Sequence, residues 1–347
     1  MSDLFSLLIK NGIKTTAIIG MTKNVGKTVT FNHLVRQFMK AGIALGLVSA
    51  GYDGERFDRL TLKDKPRIYA PEGTYLATAK ACFEAAGAEL KLIEASSVST
   101  PLGLVYLAGV KGPGLVELAG PGSVKGLQEL IERMFFFGAN HILVDGAINR
   151  LASASPLLTD ATVLATGASL GPTMEDVIKK TAFRRALLDL PRVNDEAIYR
   201  AALEGLKNGN AAMLSRNGNN CYYEPVRALI PLMAGTEIIE QCRPDTTALV
   251  FGGALVDKNL QEISKLLPVP PAVIVQDATK LFISPEYYYR YLNRGGEIMV
   301  LNQINLIAVT LNPTDPNGRG YDPKMFLDRM KEVLSPCPVY DLVYETK

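Results

Sequence analysis

The stretch that most restricts the fold is Ala17 to Val29, AIIGMTKNVGKTV, because it joins a β-rich apolar run to an amphipathic helical run through a turn ending in Gly26-Lys27-Thr28. Thr15 to Ile19 reads as a strand. Leu34, Val35, Phe38 and Met39 give Lys27 to about Met39 one apolar helical face, Ala41-Gly42 stops it, and Ile43 to Ser49 reads as a second strand. A strand, turn, helix, strand order builds parallel sheets, since parallel neighbours need a long crossover. The turn is close to a phosphate loop, GxxxxGK[ST]. The position six before Lys27 is Met21, and Gly20 stands one residue earlier.

Physically, backbone N–H groups from Asn24 through Val25, Gly26, Lys27, Thr28 and Val29 would face a phosphate at the helix N-terminus. Lys27 would reach the outer phosphates, and the Thr28 hydroxyl would hold Mg²⁺. The alternative is a glycine turn with a solvated lysine. In sheets of this kind ligands sit at the carboxyl ends of strands. His141 to Val144 reads as a strand ending at Asp145-Gly146, where a carboxylate would bind the metal directly or through water. The second strand runs into Gly51-Tyr52-Asp53-Gly54-Glu55, which adds Asp53 and Glu55 as metal or water-orienting groups. Each Asp-Gly pair also has a turn reading. The expected set is therefore Lys27, Asp145 and Asp53 for chemistry and Thr28, Asp53 and Asp145 for metal.

Weaker features surround this set. Asn312, at the end of a late strand candidate, would read adenine with its amide or make a turn before Pro313. Lys23 lies one residue out of register with a lysine by which some P-loop ATPases cross a dimer interface, so a homodimer and a solvated lysine both stay open. Gly120 to Lys125 opens a helix that suits an anion or nothing at all. Tyr287, Tyr288, Tyr289 and Tyr291 follow a Ser284-Pro285-Glu286 helix start, and their spacing puts about half of them in a core.

Along the chain, Ser2 caps a first helix carrying Leu4, Phe5, Leu8 and Ile9. Helices are expected near Thr74 to Ala86, Ser123 to Phe137 and Thr173 to Leu188. Strands are expected at Leu90 to Glu94, Gly103 to Leu107, Ala161 to Ala165, Ala248 to Val256, Ala272 to Gln276 and Leu306 to Leu311. A hairpin is expected at Lys111-Gly112-Pro113-Gly114. Residues 191–245 carry NGN, RNGNN and CYYEP and fit no single period, which marks an insertion or joint. The expected domains are a nucleotide-binding core over 1–190, this insertion, and an α/β part over 246–347 continuing the same sheet. The fold class is a three-layer α/β fold with a mostly parallel sheet.

Composition narrows the partners. Among 347 residues, 37 Lys and Arg against 35 Asp and Glu leave a net charge of +2, without the basic excess of nucleic-acid or membrane binders. At 48% hydrophobic and 21% charged the chain has ample core and is not disordered by composition. Four cysteines without CxxC spacing and two histidines do not build a local zinc site. With the short apolar N-terminal run and no long apolar span, this leads to the expectation of a cytoplasmic protein with reduced thiols.

The loop GMTKNVGKT resembles that of the dethiobiotin synthetase and cobyrinic acid amide synthetase group of P-loop proteins, which share a glycine, five residues, then GK[ST]. ATVLATGASLGPTMEDVI is similar to the strand and loop after that group's second acidic motif. VDGAINRLASASPLLTDATVLATGASL, with GYDGE, resembles the P-loop subunit of the lysine 5,6-aminomutase reactivase over about the first 190 residues. The resemblance implies a P-loop fold and an ATPase using ATP and Mg²⁺. It also implies partners, namely a cobalamin- and pyridoxal-phosphate-dependent aminomutase and a larger companion subunit, with exchange of damaged cobalamin as the work done. Lys27 and Thr28 take the nucleotide and Mg²⁺ roles and Asp145 the acidic motif. ATP over GTP follows from this resemblance and from finding no guanine-type NKxD run. The alternative is a ligase of the dethiobiotin synthetase kind, with ATP phosphorylating a carboxylate or carbamate beside Lys23, Lys125 or Arg150.

Overall fold

The computed structural model describes residues 3–51, 68–146, 154–209, 211–218, 220–226 and 239–343. Two compact units emerge, residues 1–185 with 305–347, and residues 186–304.

The first unit opens with α1 (Leu4–Lys10), whose N-cap is Asp3, accepting from the Ser6 N–H, rather than Ser2. Its strands are β1 (Thr15–Gly20), β2 (Leu45–Ala50), β3 (Ile68–Ala70), β4 (Tyr75–Ala79), β5 (Glu89–Thr100), β6 (Gly103–Gly112), β7 (Gly114–Val116), β8 (His141–Gly146) and β9 (Ala161–Gly167). Its further helices are α2 (Lys27–Lys40), α3 (Lys80–Glu84), α4 (Val124–Phe136) and α5 (Met174–Leu188). The second unit holds α6 (Glu196–Asn208), β10 (Ala211–Asn217), β11 (Asn220–Val226), β12 (Thr246–Phe251), β13 (Leu255–Val256), α7 (Asp257–Leu266), β14 (Ala272–Val275), β15 (Leu281–Phe282), α8 (Pro285–Asn293) and β16 (Ile298–Val300). The chain then returns to the first unit with β17 (Leu306–Asn312), α9 (Pro323–Leu334) and β18 (Val339–Tyr340).

The first unit is built on a nine-stranded sheet ordered β18-β17-β9-β1-β8-β2-β4-β6-β5. From β18 to β4 every pairing is parallel, and β6 runs antiparallel to both β4 and β5. β1 and β2 are buried at all six positions and β9 at all seven, as strands covered on both faces must be. Alternation assigns the faces. Ile18, Leu47, Leu143 and Val163 pack with Leu4 and Leu8 of α1 and Phe31, Leu34, Val35 and Phe38 of α2. Their sequence neighbours Val48, Ile142 and Val144 pack on the other face with Leu127, Leu130, Ile131 and Met134 of α4. The result is the expected three-layer α/β fold with a mainly parallel sheet. Each such fully buried aliphatic or aromatic side chain contributes about 1.5–3 kcal/mol, so α2 is held by its buried face more than by propensity.

Several expected elements differ. Tyr75 to Ala79 is a strand between β2 and β6, not the start of a helix, and only Lys80 to Glu84 coils. Alanine-rich YLATAKACFEAA favours a helix locally, but pairing on both sides outweighs it. The turn at Lys111 to Gly114 does not form a hairpin, because β6 pairs with β5 while β7 pairs with β3. A Cβ on Gly114 would lie 2.4 Å from the Gly87 carbonyl oxygen, so that glycine serves a close backbone crossing. The region after residue 245 also differs from the single continuing sheet. β12, β14 and β16 join β10 and β11 in a separate five-stranded sheet ordered β11-β10-β12-β14-β16, and the chain rejoins the first sheet only at β17.

Candidate nucleotide-binding site

The parallel pairing of the first unit puts the carboxyl ends of β1, β2, β8, β9 and β17 at one edge of the sheet. After β1 the backbone takes left-handed turns at Asn24 (φ 61°) and Gly26 (φ 89°), and α2 begins at Lys27. An L side chain at Gly26 would be strained and would also meet the Asn312 Cβ at 3.0 Å, so glycine is required on two counts. Val25, 1% exposed, turns inward and anchors the loop, which leaves only its backbone for a ligand.

Gly26 offers no side-chain cap to α2, and the first intrahelical bond runs from the Thr30 N–H to the Gly26 carbonyl at 2.9 Å. A helix leaves its opening N–H groups without intrahelical acceptors, here those of Lys27, Thr28 and Val29. The first turn carries no acidic residue, so the positive end of the helix dipole is not offset locally. Thr28 is half-buried in this turn, whereas the Val29 side chain is 43% exposed and contributes through its backbone.

Lys27 reaches across to β8. Its Nζ lies 2.9 Å from Asp145 Oδ1 and donates to the Gly146 carbonyl at 2.6 Å. Both side chains are largely buried, at 16% and 22% exposure, so the pair sits in a setting where charge interactions exceed those of open solvent. The geometry thus brings together Lys27, Asp145, Gly26 and the start of α2. Asp53, Glu55 and Arg150 lie outside the described residues.

Asn312 ends β17 beside this loop. Its Nδ2 donates to the Asn24 carbonyl at 3.0 Å, and its Oδ1 accepts from the Thr314 N–H and hydroxyl at 3.3 and 3.1 Å. One of its two amide hydrogens is therefore committed to the loop itself. Lys23 and Lys125 are both exposed, the first on the loop and the second in the opening turn of α4. In the second unit Tyr288 and Tyr291 are buried, Tyr287 is half-buried and Tyr289 is half exposed, so the tyrosine cluster is divided between core and surface.

Residues without a sequence signal complete the edge. A Cβ on Gly167 would lie 2.3 Å from the Asn312 carbonyl oxygen, so the ends of β9 and β17 cross in close contact. Ser169 Oγ donates to the Asn24 carbonyl at 3.4 Å. Ser49 Oγ points to the carbonyls of Gly51 and Asp145 at 3.0 and 3.3 Å, and Gly120 lies directly against the Ser49 carbonyl. A glycine at the carboxyl end of a buried strand was the one available cue, at Gly167.

No protein-family model and no curated protein matches this sequence. Among solved structures the chain is similar to one described as the structure of pNOB8 ParA bound to nonspecific DNA, at 13% identity, over 56% of this chain and 74% of that one, with a TM-score of 0.25. Among the described residues no helix is long and apolar enough to cross a membrane.

Proposed function

We propose that the first unit binds ATP with Mg²⁺ and hydrolyses it. The observation that carries this reading is the Lys27–Asp145 pair at 2.9 Å, standing at the carboxyl ends of adjacent strands against the glycine-capped start of α2. Lys27 would exchange its contacts on Asp145 and Gly146 for phosphate oxygens, each charge-assisted bond being worth about 1.5–3 kcal/mol. The N–H groups of Lys27, Thr28 and Val29 would add donors that need no bulk positive charge. Asn312 retains one amide hydrogen for a base.

The Thr28 hydroxyl and the Asp145 carboxylate are hard oxygen donors of the kind Mg²⁺ accepts, and Asp53 would join them as in the sequence reading. Mg²⁺ at a nucleotide site takes its remaining ligands from phosphates and water. When bound, the ion offsets charge developing on the phosphates.

The use of this chemistry would be the reactivation of a cobalamin-dependent aminomutase of the lysine 5,6-aminomutase type, together with a larger companion subunit. The sequence resemblance alone supports that partner. A device that moves a partner from 1:99 to 99:1 needs about 5.5 kcal/mol of differential binding, within reach of one nucleotide's contacts. The test is ATP hydrolysis by the purified chain, alone and then with aminomutase and companion. Stimulation by the partners is expected. A stoichiometric acyl-phosphate formed from a small acid would replace this reading with the ligase.

A further inference from the structure

We propose that Arg319 is a positioning residue that holds the phosphate loop in its nucleotide-binding form; the inference rests on the nucleotide reading above. The segment after β17 is a tight hairpin. The Tyr321 N–H donates to the Pro313 carbonyl at 2.9 Å, the Asp315 N–H to the Arg319 carbonyl at 2.8 Å, and the Gly318 N–H, at φ 80°, to the Asp315 carbonyl at 3.1 Å. The Asp315 side chain is 7% exposed and organises the turn. Its Oδ1 accepts from the N–H groups of Asn317 and Arg319 at 2.8 and 3.0 Å, and its Oδ2 lies 3.2 Å from Arg319 Nε.

So oriented, the guanidinium spans the turn after β9. Nη2 donates to the carbonyls of Ala168 and Gly171 at 2.9 and 3.0 Å, and Nη1 to that of Pro172 at 3.3 Å. Tyr321 adds its hydroxyl to the Gly171 carbonyl at 3.2 Å. A planar fork with five donors can grip a carboxylate and three carbonyls at once, which a lysine ammonium cannot.

Both clamped segments end on the phosphate loop. The turn after β9 carries Ser169, and the hairpin begins after Asn312; the two side chains donate to the same Asn24 carbonyl, at 3.4 and 3.0 Å. Among the described residues Asn24 is the non-glycine residue at positive φ, a conformation that asparagine tolerates and that neighbouring contacts hold in place. The clamp satisfies the carbonyls of buried Ala168 and Gly171 and the exposed one of Pro172, so it supports the local fold as well. What it fixes is the pair of donors on Asn24, and through them the turn that presents Gly26 and the start of α2.

The test uses the full chain and Mg-ATP titration alongside steady-state turnover. Arg319→Gln is expected to weaken ATP and ADP affinity about tenfold while kcat at saturating ATP stays within about twofold. Arg319→Lys should restore only part of the loss. Ser169→Ala should weaken binding about threefold alone and add nothing in the Arg319→Gln background, since both act on one carbonyl. If Arg319→Gln does not fold, Tyr321→Phe should shift affinity about twofold in the same direction. Unchanged affinity in Arg319→Gln, or in Tyr321→Phe if that is the variant that folds, with binding abolished by Lys27→Ala, overturns the clamp and leaves the nucleotide reading standing. Wild-type affinity in Lys27→Ala overturns both.

Discussion

The two units share a plan and differ at the ends of their strands. Each sets helices between parallel strands of one sheet, α2 between β1 and β2 in the first and α7 and α8 among β12, β14 and β16 in the second. In the first, the carboxyl ends present a lysine, a carboxylate and a helix start capped by glycine. In the second, the polar groups are turned to local structure. Asp277 is 2% exposed and accepts from the Thr279 N–H, Asn302 donates to the Gln276 carbonyl, and Asp257 accepts from the Ser284 N–H. The same architecture thus gives a candidate site in one unit and capped turns in the other, and the difference lies in a handful of side chains.

The largest expected contrast comes from removing one charged group in each unit. Lys27→Ala should weaken ATP binding about 100-fold or more, while Asp277→Ala should leave it unchanged and lower stability by about 1–3 kcal/mol. Titration calorimetry with thermal melting reads both, and loss of ATP binding in the Asp277 variant would break the comparison. Asp145→Asn should keep ATP affinity yet reduce Mg²⁺-dependent turnover about 100-fold, measured as phosphate release.

A pH contrast comes next, because both histidines of the chain, His33 and His141, lie in the first unit. His141 is 2% exposed, stacks on Phe38 at 4.2 Å, and has burial pushing its pKa down to about 4. Its Nδ1 faces the Ile13 carbonyl, an acceptor only, so Nδ1 carries the hydrogen and Nε2 accepts from the Thr16 hydroxyl. The neutral ring is favoured in the folded state, so its contribution is complete above pH 6.5 and is lost as pH falls toward 4, by about 3 kcal/mol. Amide exchange should show the first unit loosening over that window, with a flatter response in His141→Gln. The smallest contrast is between glycines. Gly167→Ala forces a Cβ to 2.3 Å from the Asn312 carbonyl and should cost about 2 kcal/mol. Gly218→Ala has nothing within 4 Å and should cost about 1 kcal/mol for its φ of +60°.

What the sequence made legible follows the same division. β1, α2, β2, α4, β8 and β9 are readable because apolar runs buried on both faces, or on one helical face, leave a periodic trace. That Lys27 and Asp145 meet is readable because spacing ties them to the ends of neighbouring strands. β4 is hidden by alanines that favour a helix until β2 and β6 pair with it. β10 and β11 are hidden because β11, with Tyr222 54% and Tyr223 38% exposed, lacks an apolar face. Gly167, Ser169 and Arg319 act through backbone carbonyls distant in sequence, which no local pattern records.

The most direct measurement is peptide-resolved amide exchange of the full chain with and without Mg-ATP. Protection is expected over residues 21–30 and 141–146, with residues 252–257, 276–279 and 301–302 unchanged. Protection confined to the second unit, or none at saturating ATP, would contradict the assignment of the site to the first.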